Sequence, residues 1–321
     1  MISRAAKVFL VLVMLIAALA ASVADTPQEM LAAGRIDDAI ASLNSRISTA
    51  PSDAESANLL CRAYYALGDW DRAESSCRKA TVLEPDNSRF HLWLGRVYGE
   101  KADRVNFLSA AGLAGKVHGE FERAVQLDPK DLDARLDLAE FYLSAPGIVG
   151  GGDQKARQQA LAIGAINLAR EHWVYARIAE RKDDPATAER EYHQYIDLSH
   201  GDSEAWLNLA LFLRRQKRFD EMEQAIVKLS QAQMTKPDVL VEAAQMLYGA
   251  GRNNSLALEM VRRYLTSGPV EAAPAFKAHY LLGALLEKQG DKASAAREYR
   301  ASLALVHNFT AAQKALTRVA H

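Results

Sequence analysis

The sequence predicts an all-α protein, a right-handed α-solenoid of about seven to eight helix pairs with a C-terminal capping helix. Three observations carry this prediction. Only 18 Gly and 9 Pro occur among 321 residues, and Ala and Leu dominate the apolar residues, which favours helix. Apolar residues recur with helical spacing in segments separated by short breaks. The set Ala39, Leu43 and Pro51 recurs 34 residues later, a period typical of helical repeat arrays.

The overall composition is that of a globular protein, with 49% hydrophobic and 25% charged residues. The 39 Lys and Arg residues nearly balance the 40 Asp and Glu residues. A protein that reads nucleic acid normally carries a basic excess, so this balance disfavours a nucleic-acid partner. The length suffices for two domains or for one long repeat array.

The N-terminal 24 residues have the pattern of a secretory signal peptide. Arg4 and Lys7 precede an apolar run over residues 8–21, and small residues follow up to Ala24. The alternative is an uncleaved membrane anchor, but this run is shorter than the roughly 20 residues that a span requires. We therefore predict cleavage near Ala24, a mature chain that begins at Asp25 without a membrane span, and a periplasmic or secreted location.

The second repeat unit shows how each unit is built. Apolar residues of its first helix share one face and end near Tyr64, where Gly68–Asp69 interrupts the pattern. A second helical pattern starts at Ala73 and continues through Cys77 and Ala80. The unit is therefore predicted to be a pair of antiparallel amphipathic helices.

The third unit adds a more specific pattern. It carries Leu-Gly-Arg-Val-Tyr at residues 94–98, followed by Phe121, Ala124 and Pro129. This arrangement resembles the tetratricopeptide repeat, whose first helix carries Leu-Gly-x-x-Tyr and whose second helix carries Ala, a bulky residue, Ala and a closing Pro. Small residues such as Gly95 let two helix backbones approach, and the aromatic side chains fill the adjacent space. At its Pro-Gly-rich turn, residues 145–152, the sequence also looks similar to exported bacterial repeat proteins, and this resemblance implies no activity.

The same pattern of small and bulky apolar residues at repeat-specific positions extends over nearly all of residues 26–321. The first unit is abbreviated by the predicted cleavage, the seventh is degenerate, and a final helix is expected to cover the last open face. The predicted bounds are residues 1–24 for the signal peptide, 25–53, 54–87, 88–131, 132–168, 169–202, 203–237, 238–274 and 275–309 for the units, and 310–321 for the cap.

Two insertions interrupt this regular array. Residues 101–113 lengthen the third unit, and residues 145–152, which are rich in glycine, lengthen the turn of the fourth. Both lie between the first and second helix of their unit, so they are expected to project from the same edge, one unit apart. The first insertion is expected either to extend both helices of its unit or to pack as a hydrophobic flap.

The two cysteines fall in one helix pair. Cys61 and Cys77 are equidistant from the turn near residues 68–69, so antiparallel helices would place them face to face. An oxidising compartment would then permit a disulfide. The alternative is a pair of buried thiols whose Cα atoms lie beyond the bridging limit of about 7 Å.

The inner face of the predicted superhelix is the candidate binding surface. Arg62, Arg96 and Arg177 recur at equivalent points of their units, whereas Glu140 interrupts this series in the fourth unit. Arginine and aromatic residues are enriched where surfaces bind proteins. The alternative is that exposed helix positions simply tolerate arginine and that the tryptophan of the third unit belongs to the core. The candidate binding residues are Asn58, Arg62, Tyr65, Trp93, Arg96, Trp173 and Arg177.

No motif predicts catalysis, a metal site or a cofactor. The glycines of residues 147–152 follow a helix and lack the Lys-Ser/Thr sequence of a phosphate loop, and the histidines lack zinc-site spacing. We therefore predict a non-enzymatic periplasmic scaffold that holds a peptide or protein segment in its concave groove, in envelope assembly or secretion. The alternative is a glycan-binding or enzyme-associated module in which Trp93, Trp173 and the glycine-rich turn hold a sugar chain.

Overall fold

A computed structural model describes residues 25–320, which form seventeen α-helices arranged as eight helix pairs and a C-terminal helix. This result confirms the predicted all-α solenoid. No helix in this range is both long and apolar enough to cross a membrane. The predicted signal peptide, residues 1–24, lies outside the described residues. The helices are α1 Pro27–Ala32, α2 Ile36–Thr49, α3 Ala54–Leu67, α4 Trp70–Leu83, α5 Ser88–Ala102, α6 Phe107–Leu127, α7 Leu132–Ser144, α8 Asp153–Gly164, α9 Leu168–Arg181, α10 Pro185–Leu198, α11 Ser203–Arg215, α12 Phe219–Gln231, α13 Val239–Ala250, α14 Asn254–Ser267, α15 Ala275–Lys288, α16 Lys292–Leu305 and α17 Thr310–Val319.

Polar caps fix where many of the helices begin. The backbone N–H of Ser56 donates to Asp53 Oδ1 at 2.9 Å before α3. The backbone N–H of Arg72 donates in the same way to Asp69 Oδ1 at 3.2 Å before α4. Each cap satisfies a backbone donor that lacks a partner within its helix. Gly68 ends α3 with a φ of 73°, a conformation that glycine adopts without strain, so the two helices of this pair reverse over two residues.

Close packing within the third and the eighth pair depends on small residues, as the sequence predicts. A Cβ atom on Gly95 would lie 2.5 Å from the ring of Phe121, and one on Gly283 would lie 2.5 Å from the ring of Tyr299. Such distances are far below van der Waals contact, so these glycines are required where the first helix crosses the aromatic ring of the second.

The first insertion extends a helix. Helix α6 contains 21 residues, whereas the corresponding second helices α4 and α10 contain 14. The second insertion forms a turn with a short 3-10 segment, Gly147–Val149. The expected extension of both helices is therefore met only in the second helix, because α5 contains 15 residues and α6 contains 21.

The last helix pair returns to the first. Phe276 and Val306 share a hydrophobic core with Leu31 and other residues of the first four units. A Cβ atom on Gly34 would lie 2.6 Å from the backbone nitrogen of Ala275, so the two segments are in close contact. The superhelix therefore closes on itself, and we call the contact zone between residues 31–72 and residues 271–311 the seam.

The candidate binding surface on the inner face

Four of the predicted binding residues form one cluster on α3 and α5. The rings of Tyr65 and Trp93 meet edge to face with centroids 5.4 Å apart. The guanidinium carbons of Arg62 and Arg96 lie 5.4 and 5.1 Å from the centroid of the Trp93 ring. Cations over an indole face are attracted by its electron density, so Trp93 orients both arginines.

Each recurring arginine already has a carboxylate partner in the chain. Arg96 Nε donates to Asp137 Oδ2 at 2.6 Å, and Arg177 Nη2 donates to Glu140 Oε1 at 2.7 Å. Arg62 Nε donates to Glu271 Oε1 at 2.7 Å. The residues that the sequence predicts to contact a partner thus first serve as links between parts of this chain.

Helix α7 connects the two ends of the candidate surface. Its Asp137 pairs with Arg96 of the preceding unit, and its Glu140 pairs with Arg177 of the following unit. The glutamate that interrupts the arginine series is therefore the acceptor for the next arginine. Burial lowers the pKa of Arg177, but the hydrogen bond and the charge of Glu140 outweigh this effect and raise the pKa above its ordinary value.

Trp173 and Arg177 form a separate group on α9. The indole N–H of Trp173 donates to Asn208 Oδ1 at 2.8 Å, across to the next unit. The structure therefore divides the predicted residues into a cluster around Trp93 and a second group around Trp173. Both indoles are half buried and engaged with neighbouring side chains, rather than presenting a bare stacking platform.

Asn58 is buried, in contrast to its predicted role at the surface. It lies one turn before Arg62 on α3 and has a relative exposure of 0%. Neither its side-chain oxygen nor its nitrogen has a hydrogen-bond partner among the described residues. A buried amide without partners is destabilising, by about 1–3 kcal/mol. In this conformation, Asn58 does not offer its amide to a partner.

A cavity of about 620 Å³ opens beside the Trp93 cluster, and we call it the inner pocket. Of the binding residues predicted from the sequence, Tyr65 and Arg96 line this pocket, whereas its other lining residues were not predicted. Residues of both insertions line the pocket. The sequence predicts that the two insertions share an edge, and this shared edge is the sequence feature that indicates a pocket there. Apolar residues from four segments form much of its surface, among them Ala102, Ala111, Ala114, Phe121, Phe141 and Val149.

Carboxylates surround this apolar surface. Glu100, Asp103, Asp137 and Glu140 line the pocket together with one arginine, Arg96. Tyr65 Oη donates to Glu100 Oε1 at 3.2 Å. Burial and the adjacent Glu100 raise the pKa of the Tyr65 hydroxyl, so the hydroxyl remains a donor throughout the neutral range. The pocket therefore combines apolar walls with a rim that accepts hydrogen bonds.

The structure joins the two cysteines. Cys61 on α3 and Cys77 on α4 form a disulfide with their Cα atoms 5.1 Å apart, within the bridging range. The bond ties the two helices of the second unit directly beside Arg62.

Stacked helix pairs with a continuous inner face define a helical repeat protein of the solenoid class. Two family models, both described as tetratricopeptide repeat, match the sequence, one over residues 30–97 and the other over residues 176–227 and 242–308. The chain belongs to the tetratricopeptide repeat family. Comparison with curated proteins finds no significant match.

Solved structures share the fold at low sequence identity. Yeast Tom70 is similar with a TM-score of 0.53 and 13% identity over 89% of this chain, which spans 58% of the Tom70 chain. A tetratricopeptide repeat protein from Parabacteroides merdae aligns with a TM-score of 0.38 and 16% identity, over 84% of this chain and 99% of that chain. PilF of Pseudomonas aeruginosa aligns with a TM-score of 0.41 and 14% identity, over 83% of this chain and 97% of that chain.

Proposed function

We propose that this protein is a non-enzymatic periplasmic scaffold that binds a peptide or protein segment on the inner face of its superhelix, in envelope assembly or secretion. The repeat family supports a role in protein interaction, and the signal-peptide pattern of residues 1–24 supports the location. The inner pocket is the observation that carries the proposal, because it offers apolar walls and hydrogen-bond acceptors next to Tyr65 and Arg96 of the candidate binding surface.

The pocket would act by excluding water from one apolar side chain of the bound segment. Full burial of a leucine-sized side chain stabilises a complex by about 1.5–3 kcal/mol. The carboxylates at the rim, of which Asp103 is the most exposed, would accept hydrogen bonds from backbone or side-chain N–H groups. A peptide is favoured over a sugar chain because both Trp93 and Trp173 are engaged by neighbouring side chains.

Photo-crosslinking in the native host tests this proposal. A photoreactive phenylalanine analogue would replace Ala111 in the pocket wall or, as the control, Val82, which is 78% exposed on α4 and lies outside the pocket. We expect a discrete crosslinked protein from position 111 and none from position 82. A product from position 82 alone would place binding on the other side of the solenoid, and absence of any product from position 111 would contradict a protein-binding pocket.

A further inference from the structure

The connection between α14 and α15, residues 268–274, has a shape fixed by one buried tyrosine. We call this connection the inner segment. The backbone N–H of Val270 donates to Tyr264 Oη at 2.8 Å, and the same hydroxyl donates to the carbonyl oxygen of Ala273. Tyr264 has a relative exposure of 0%. The inner segment is therefore held as a preformed loop, and Glu271 lies within it.

Glu271 binds the guanidinium of Arg62 with both carboxylate oxygens, the geometry in which a carboxylate of a separate partner would bind. Arg62 Nε donates to Oε1 at 2.7 Å, and Nη2 donates to Oε2, so both carboxylate oxygens are held by one fork. The two side chains are only 17% and 18% exposed. Two parallel charge-assisted hydrogen bonds are the usual geometry by which arginine recognises a carboxylate of a partner.

The position of this pair in the repeat array is unusual. Asp137, the partner of Arg96, directly precedes the Leu-Ala pair of the fourth unit, and Trp93 occupies the same position in the third unit. By analogy with Arg96 and Asp137, the third unit would supply a carboxylate to Arg62 of the second unit. It carries the indole of Trp93 at that position instead. The carboxylate comes instead from Glu271, which is 209 residues away in sequence.

We propose that the inner segment is an internal ligand, and that a partner binds the Arg62 end of the inner face through a carboxylate on an extended segment that displaces Glu271. The proposal rests on the proposed scaffold function and names the chemistry of the partner. The inner segment itself supports a carboxylate-bearing partner, because it shows that the surface around Arg62 binds a glutamate whose neighbours in sequence are small residues and proline.

A peptide added in trans tests the proposal. The probe is a fluorescent peptide with the sequence of residues 266–276, and a second peptide carries Gln in place of its Glu. The mature chain is titrated as wild type and as Glu271→Ala, to peptide concentrations of about 1 mM, because a tethered segment competes at millimolar effective concentration. We expect the Glu peptide to bind Glu271→Ala at least tenfold more tightly than wild type, and the Gln peptide to lose most of this gain.

Two further variants distinguish carboxylate binding at Arg62 from a general loosening of the folded structure. Glu287→Ala removes another bidentate glutamate, which pairs with Arg318 away from the inner segment, and should leave peptide binding at the wild-type level. Arg62→Ala combined with Glu271→Ala should abolish the gain. If Glu271→Ala does not fold, the titration is decided with Glu271→Gln, which keeps the size of the side chain.

The results distinguish this inference from the proposed function. Equal peptide binding by wild type and the Glu271 variants would overturn the internal ligand, as would equal binding of the Glu and Gln peptides. A crosslink at position 111 in the native host would still stand in that case, so the scaffold function would survive. If no crosslink forms at position 111 but the Glu peptide binds Glu271→Ala more tightly than wild type, the internal ligand stands. The proposal that the inner pocket binds a protein segment would then be wrong.

Discussion

Arg177 Nη2 donates to Glu140 Oε1 at 2.7 Å, and the two residues are 37 positions apart, in successive helix pairs. Arg215 and Glu180 form a similar link over 35 positions, with two hydrogen bonds of 2.7 Å each. Such pairs connect several neighbouring units, among them the third and the fourth through Arg96 and Asp137. In a solenoid, stability depends on interfaces between neighbours, so these arginines contribute to stability as well as to any binding.

Arg177→Ala should lower the free energy of unfolding by about 1–3 kcal/mol, because it leaves the half-buried Glu140 without its charged donor. Urea denaturation measures this change. Arg190→Ala is the matched control, since Arg190 is exposed and, among the described residues, donates only to a threonine of its own helix. An equal effect of both variants would show that the link between units is energetically unimportant.

Gly95→Ala should destabilise the protein by about 1–3 kcal/mol, because the added methyl group would overlap the ring of Phe121. Gly112→Ala, in helix α6, provides the control: apart from its chain neighbours and the backbone of its own helical turns, no atom of the described part of the chain lies within 4 Å of the added Cβ. This second variant should be stabilising by about 0.5–1 kcal/mol through helix propensity alone. Thermal melts of the two proteins should shift in opposite directions, and a shared direction would contradict the packing argument.

Glu180 should make stability depend on acid pH. Burial raises the pKa of its carboxyl, but hydrogen bonds from Arg215 and Tyr192 outweigh burial and lower the pKa below the ordinary value of 4.5. A depressed carboxyl pKa contributes stability above the unfolded pKa, and this contribution disappears as the pH falls through the folded pKa.

Glu180→Gln should therefore cost about 1–3 kcal/mol at pH 7 and progressively less below about pH 4.5. Urea denaturation of both proteins between pH 7 and pH 3 measures the difference. A difference that stays constant over this range would show that ionisation of Glu180 does not contribute.

The Cys61–Cys77 disulfide should protect both thiols from labelling. Denatured, unreduced protein from its native compartment is expected to show no free thiol, whereas reduced protein shows two. Replacing both cysteines by alanine should cost about 3 kcal/mol in the chain-entropy account of disulfides. Two free thiols before reduction would contradict the bridge in the native protein.

The predicted signal peptide leads to a testable prediction for the N-terminus of the mature protein. Mass spectrometry of protein from the native host should give a chain that begins at or near Asp25, because small residues at Ser22, Val23 and Ala24 suit a signal peptidase. Recovery of intact Met1 in the membrane fraction would instead indicate an anchored protein.

Much of the fold follows from local pattern. The 34-residue period, the break at Gly68 and the pairing of Gly95 with Phe121 involve residues within one or two units, so their spacing alone predicts antiparallel helix pairs. The juxtaposition of Cys61 and Cys77 has the same origin, because both flank one turn. The candidate site was predicted only in part: Arg62, Trp93 and Arg96 do meet, but their carboxylate partners were not foreseen.

The sequence by itself determined the helix pairs, their order and the edge that carries both insertions, because each depends on contacts between neighbours in the chain. Only the tertiary structure decided that Arg62 meets Glu271 and that Gly34 meets Ala275. These contacts depend on the rotation from each unit to the next, summed over eight units. Small differences at each interface add up along the superhelix, so no local spacing reveals whether its two ends meet.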